Sequence, residues 1–490
     1  MSNKETKVDS FNNQTKKSLI ISGLFWRYGE RTCAQGVQFI VSIILARLLS
    51  PREYGYIGLI IAFIGIGNVF VQSGLGNALI QNKNVNEKDY SSVFFTSIII
   101  GIILFVNMQF LAPAISYFYD EPKLINPIRV LSFMFILAGI NTVQQAYVSK
   151  KMIFRKFFFS TVLGTIISAI VGICLAYKGF GIWALVWQQL INQVVGTIVL
   201  WVIVDWRPIL YFSVSRVKRL FTFGGNLLLS SLIDTIYNNM YTFVLGKAYK
   251  PDIVGYYNRG KNIPNLIITN INTSIQSVLF PAISREQGDP QKVKRIVRRS
   301  IITSTFLIFP CMAGLIATAK SLTIILLTEK WLPSVPFLQF SCFTYAFWPI
   351  HTANLQAISA IGRSDIYLKL EITKKVIGVL ILIITLPLGI YPMMFGTCIT
   401  TIIASFLNAH PNAKLLNYNY FEQIKDILPS LMLSLTMMII VSSINYLGWN
   451  SLVTLVTQII LGAIIYISGA KLFKFECFNY ILSTARQYLK

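Results

Sequence analysis

The sequence predicts an all-α integral membrane protein of about fourteen transmembrane helices, arranged as two six-helix lobes in a parallel repeat followed by two extra C-terminal helices. Three observations carry this. Of 490 residues, 54% are hydrophobic and 13% charged, where soluble domains carry about 25% charged residues; mean hydropathy is +0.61. Apolar runs of about 20 residues, enough to cross the hydrocarbon core, recur along the whole chain. A short motif also returns: Pro51, Gly55 and Tyr56 in SPREYGY are answered by Pro251, Gly255 and Tyr256 in KPDIVGY, and Arg47 by Lys247, all at an offset of 200.

In chain order, residues 1–20 are a polar, basic tail without a cleavable signal, so the first span is expected to direct its own insertion. Spans lie near 21–46, 55–80, 92–112, 125–147, 157–177 and 180–204, which form the N-lobe, 21–204. A linker, 205–218, leads to the C-lobe, 219–413, with spans near 219–246, 253–283, 300–319, 335–360, 371–389 and 391–413. The last two spans fall within 427–470, near 427–446 and 451–470, ahead of a tail at 471–490. An offset of 200 contains six spans, an even number, so both copies of the motif enter the membrane in the same direction and the lobes are parallel repeats.

Charge checks the count, because Lys and Arg collect in cytoplasmic connections. With both termini inside, the inside tails and connections, with the helix ends adjoining them, carry 30 of the 43 Lys and Arg; the outside connections carry eight and the spans five. The net charge of +24 is thereby explained by topology, and a nucleic-acid partner is excluded because no long hydrophilic domain offers a basic groove.

Polar residues three and four apart share a helix face. Arg27, Arg31, Gln35 and Gln38 follow that spacing in the first span, with Glu30 beside them, and Asn68 and Gln72 lie in the second. The seventh carries Asn226, Ser230, Asp234, Asn238 and Tyr241, with Tyr237 alongside. The eighth carries Asn258, Asn262, Asn265, Thr269, Asn272 and Gln276, flanked by Arg259 and Lys261. These four spans are expected to face a wet cavity. At a rise of about 1.5 Å per residue, Arg31 and Lys261 lie roughly 15 and 12 Å from the nearer surface. A central Arg or Lys costs about 2.5–3.5 kcal/mol. Glu30 is placed to pair with Arg27 or Arg31, and Asp234 with Lys261 or Arg259, which leaves a cationic excess suited to an anion. The opposing reading is that internal pairs satisfy every one of these charges as packing contacts.

No catalytic constellation is present: His351 and His410 are the only histidines, no GxSxG or GxxxxGK[ST] occurs, and GLGNAL at 74–79 lacks a third glycine. The six cysteines are far apart, so neither a zinc site nor a disulfide framework is expected. The chain reads as no enzyme, without cofactor or metal.

LARLLSPREYGYIGL at 45–59, MIFRKF at 152–157, GFGIWALVWQQL at 179–190, GYYNRGKNIPN at 255–265, SVLFPAISR at 277–285 and IGRSDIYLKLEI at 361–372 resemble one known group. It is the polysaccharide-transport branch of the multidrug/oligosaccharidyl-lipid/polysaccharide exporter superfamily, which includes flippases of O-antigen and colanic-acid pathways. The resemblance implies two lobes around a cavity that opens alternately to each leaflet of a bacterial inner membrane. It also implies a polyprenyl-diphosphate-linked oligosaccharide as cargo, with other glycan-assembly membrane proteins as partners. In that case Arg27, Arg31, Arg259 and Lys261 suit the diphosphate, and the amides and tyrosines suit sugar hydroxyls. A cation-coupled multidrug exporter, a peptidoglycan-precursor flippase and a membrane glycan polymerase are the alternatives; the first would want an acidic cavity, and the last a long outside loop.

Overall fold

The computed structural model describes residues 26, 29–72, 74–82 and 84–478, and among them there are helices and no strand. Contacts divide the chain into two compact units, one through Gly255 and one from Tyr256. This division falls inside a helix, and the motif repeat describes a different one.

The first unit contains α1 (29–48), α2 (Pro51–Gln72), α3 (Leu75–Gln81), α4 (Glu87–Tyr119), α5 (Ile125–Leu131), α6 (Met134–Lys151), α7 (Arg155–Tyr177), α8 (Ile182–Ile203) and α9 (Val214–Ala248). Helix α10 (Pro251–Arg285) starts there and runs into the second unit, which continues with α11 (Pro290–Leu327), α12 (Val335–Ala346), α13 (Trp348–Ala360), α14 (Ser364–Thr385), α15 (Ile390–Leu415), α16 (Tyr420–Ser443) and α17 (Ser451–Leu472). Each of the fourteen predicted spans lands on a helix or a broken helix pair.

Ten of these are long and apolar enough to cross a membrane by length and composition. The other four are the first span, described only from residue 29, the amphipathic α9, the broken pair α12–α13 and the charged α14. The break between α12 and α13 comes at Phe347, just ahead of Pro349, which has no N–H to continue the ladder. The second span breaks at Gly74, where α9 comes close: a Cβ on Gly224 of α9 would lie 2.4 Å from the Gly74 carbonyl oxygen, so position 224 requires glycine. GLGNAL is thus a helix crossing.

The basic run at 292–299, expected as a connection, is the first part of α11, capped by Asp289, whose side chain accepts from the backbone N–H groups of Gln291 and Lys292. Its Val293 and Val297 are buried, while Lys294 and Arg298 pair with Glu422 at 2.8 Å and Asp426 at 2.8 Å. Helices α16 and α17 both pack on α11.

Ion pairs between connections join those assigned to the same side. In the first unit Asp89 meets Arg216 and Arg219, and Lys156 meets Asp205, all on the side read as inside. Arg52 meets Glu121, and Lys247 meets Asp120, on the opposite side. In the second unit Lys294 and Arg298 join the connection after α15. A miscount by one span would have mixed the two groups.

The repeated motif has a packing reason. A Cβ on Gly55 would lie 1.8 Å from the Pro251 carbonyl oxygen, and one on Gly255 would lie 2.1 Å from that of Pro51. Each copy supplies the glycine that admits the other's proline carbonyl.

Candidate functional site

In the first unit, α1 buries Glu30, whose Oε1 accepts a hydrogen bond from Thr161 Oγ1 at 2.9 Å. Glu30 and Gln72 share a cavity of about 480 Å³ with Asn77, Thr142, Gln145 and Ser149. The small-residue break at Gly74 turns α3 so that Asn77 joins this lining. Arg31 is exposed and makes no ion pair among the described residues, so the pairing expected between Arg31 and Glu30 is not formed. Arg27 lies outside the described residues. Gln38 is apart from this cavity, in a narrow recess with Thr165, Ser168, Gln188 and Asn192, and Gln35 is half-buried. Asn68 is half-buried, with its Oδ1 buried and unpaired among the described residues.

Helix α9 packs on α2, α3 and α4 through one face. Gly224 meets Gly74, Gly246 meets Leu59 and Tyr119, and Leu245 is fully buried. Asn226, Ser230, Asp234 and Asn238 are exposed on the other side and Tyr241 is half-buried. The predicted stripe therefore exists as a face.

The second unit organises α10 the same way. Ile268, Leu279 and Ile283 enter the core, with Ile263, Ile267, Ile271 and Ile275 packed against it. Asn262, Thr269 and Gln276 are exposed, and Asn258, Asn265 and Asn272 half-buried. A spacing of four and three residues keeps them in line while the isoleucines hold the opposite face.

Near the start of that line, Arg259 is 7% exposed, its guanidinium 5.7 Å from the centre of the Trp331 ring. Gly260 makes this proximity possible, since a Cβ there would come within 2.7 Å of the Leu338 nitrogen and 2.8 Å of the Ser334 carbonyl oxygen. Lys261 is half-buried with Nζ 5.8 Å from the centre of the Tyr257 ring, and Tyr257 stands edge-on to Phe337. Among the described residues no carboxylate oxygen lies within 4 Å of Lys261 Nζ. Aromatic faces stabilise a desolvated cation by about 0.5–2 kcal/mol, yet leave its N–H donors available to an anion.

Further polar groups lie within the spans. Glu371 and Lys374, 2.5 Å apart, lie within α14, whose start at Ser364 puts Lys374 ten residues into the helix, although 374 and 375 count with the connection in the charge reading. A fully buried set of amides ties three helices together: Asn354 and Gln423 exchange hydrogen bonds at 2.8 and 3.0 Å, and Asn412 donates to Asn354 at 2.7 Å. His351 shares a hydrogen bond with Asn408 at 3.1 Å, which makes it a packed group. On α13, α14 and α15 these groups come as isolated pairs three or four residues apart, too short a run to read as a polar face. Among the described residues no three His, Cys, Asp or Glu side chains gather in a way that would hold a metal ion.

Comparison with known proteins adds three findings. The sequence profile of a family described as "polysaccharide biosynthesis protein" matches residues 44–336. The chain is 23% identical over 353 residues to the teichuronic acid biosynthesis protein TuaB of Bacillus subtilis, covering 71% of this chain and 72% of that one. It is 23% identical over 419 residues to the lipopolysaccharide biosynthesis protein WzxC of Escherichia coli K12, covering 84% and 82%. Among solved structures, the lipid II flippase MurJ in an inward closed conformation superposes with a TM-score of 0.74 at 16% identity, covering 92% of this chain and 98% of that one. That likeness establishes a shared fold.

Proposed function

Because this chain belongs to the polysaccharide biosynthesis protein family, we propose that it moves a polyprenyl-diphosphate-linked oligosaccharide from the cytoplasmic to the outer leaflet by alternating access. The observation that carries this reading is α10: a line of amides running the length of a membrane helix, headed by Lys261, a cation without a carboxylate within 4 Å among the described residues. A diphosphate supplies what such a cation lacks, namely negative charge and several acceptor oxygens. Asn262, Asn265, Asn272 and Gln276 then meet sugar hydroxyls, while the prenyl tail stays in lipid.

The rest of the reading follows the sequence. The lobes 21–204 and 219–413 are the moving bodies, 205–218 links them, and both termini face the cytoplasm of a bacterial cell whose inner membrane holds the protein. By sequence Arg27 and Arg31 are further cations of the first span, with Glu30 and Asp234 as the acidic groups of the first and seventh spans. The protein acts as a carrier and needs no cofactor; enzymes that build and polymerise the glycan are its partners. A multidrug exporter is disfavoured because drug cations would be repelled by Lys261 and Arg259. A peptidoglycan precursor shares the diphosphate and differs in its sugars and in the peptide they carry.

The test is loss of the protein in its own cell. Surface glycan should fall and the lipid-linked oligosaccharide should accumulate on the cytoplasmic leaflet. Loss of surface glycan without accumulation of that intermediate would refute the proposal.

A further inference from the structure

Between α8 and α9 the chain crosses one end of the first unit as a strap without helix, 204–213, and this strap is tied down along its length. Trp206 is buried and donates from Nε1 to Glu87 at 2.7 Å, and its carbonyl accepts from Gln144 at 3.2 Å. The backbone N–H groups of Ile209 and Ser213 donate to the Ser91 and Ser92 hydroxyls at 3.0 and 3.2 Å. Just beyond, Arg216 and Arg219 pair with the wholly buried Asp89. A strap so anchored would be expected to turn its apolar residues inward. Instead Leu210 is 99% exposed, Val214 68% and Phe212 51%.

Positive charge surrounds that apolar knuckle. Lys88 lies 5.1 Å from the Tyr211 ring centre and Arg216 5.8 Å. Arg207 sits over Trp201 and donates only to carbonyls, and Lys218 is exposed. The strap begins directly after α8, whose end at Ile203 marks the end of a membrane span, so its depth is that of the headgroups. Half-buried Trp201 and Tyr211 suit the aromatic band common at that depth, whereas Trp206 is buried and anchors the strap.

We propose that this strap is a binding site for anionic phospholipid, with Leu210, Phe212 and Val214 inserted among the acyl chains and a headgroup phosphate held by Lys88, Arg207 and Lys218. Three features select this occupant over neutral lipid or protein: continuity with the span, rigid outward presentation of apolar side chains, and cations in excess of the carboxylates that pair with them. None of these residues belongs to the polar line on α10, and only the name of the leaflet depends on the orientation proposed above.

The test places an environment-sensitive fluorophore at Leu210→Cys on a cysteine-free background. The full chain is reconstituted in vesicles of phosphatidylcholine alone, or of equal parts phosphatidylcholine and phosphatidylglycerol. The probe should be quenched by brominated acyl chains, and more strongly when the brominated lipid is the anionic one. Lys88→Gln with Lys218→Gln should reduce that preference by about fivefold for each cation removed, while leaving the melting temperature near wild type. Quenching by aqueous iodide with none from lipid would overturn the proposal, as would equal quenching from both lipids. Shielding that grows with the protein-to-lipid ratio would assign the face to a second copy and also overturn it.

Discussion

Replacing Gly55 with alanine tests the packing account of the repeat at one atom. The new Cβ would lie 1.8 Å from the Pro251 carbonyl oxygen and 2.5 Å from its carbon, both backbone atoms at the start of α10. Side-chain rotation cannot relieve this. Restoring even a 3.0 Å separation requires the helices to part by about 1.2 Å, and overpacking of this kind costs about 1–3 kcal/mol. The upper end applies because the obstacle is backbone; unfolding entropy of about 2.1 cal/mol/K per residue over 490 residues then puts the fall in melting temperature at roughly 3 °C. Gly255→Ala, with its Cβ 2.1 Å from the Pro51 oxygen, should behave alike. The double variant should cost less than the sum, since the same gap opens once. Gly36→Ala is the control: nothing lies within 4 Å of its Cβ, and alanine in a helix interior stabilises by about 0.5–1 kcal/mol. The assay is thermal melting of purified protein in detergent, read as loss of the monodisperse species. Melting of Gly55→Ala together with Gly36→Ala would refute the reasoning.

Two further outcomes follow. On a cysteine-free background, cysteines at Asp120 and Glu329 should react with an impermeant reagent in intact cells, whereas cysteines at Met152 and Arg295 should react only after lysis; outside labelling at 295 would break the span count. The Lys156 ammonium, 2.9 Å from Asp205, holds that carboxyl below its ordinary value. A depressed carboxylate stabilises the fold above its unfolded pKa of about 3.9 and loses that contribution as pH falls through the folded value. The melting-temperature difference between wild type and Lys156→Gln should therefore be constant above about pH 5 and shrink below the carboxylate range; a difference unchanged in acid would contradict the pairing.

Helices were legible from apolar length, because the bilayer imposes that length on every span. Boundaries were harder. Helix α11 is 38 residues long and α10 is 35, so at about 1.5 Å per residue each outruns a core of about 30 Å. The first turns of α11, Lys292 to Arg299, are too rich in cations to read as a span although they are helical and bury Val293 and Val297. The faces of α9 and α10 were readable because a full-length polar line repeats every three or four residues. The lining around Glu30 was only half readable: Gln72 was singled out, but Thr142, Gln145, Ser149 and Thr161 come from other helices and meet it only in three dimensions. Lys374 was misplaced because a charge near a span's end looks the same in sequence whether the helix begins before it or after it.

The central claim is that Lys261 meets the cargo's diphosphate. The direct measurement is the transbilayer rate of a fluorescent polyprenyl-diphosphate oligosaccharide in proteoliposomes holding equal amounts of wild-type or Lys261→Gln protein with matched melting temperatures. A charge-assisted contact contributes about 1.5–3 kcal/mol, so the variant should be slower by roughly 10- to 100-fold. A wild-type rate from Lys261→Gln would contradict the account.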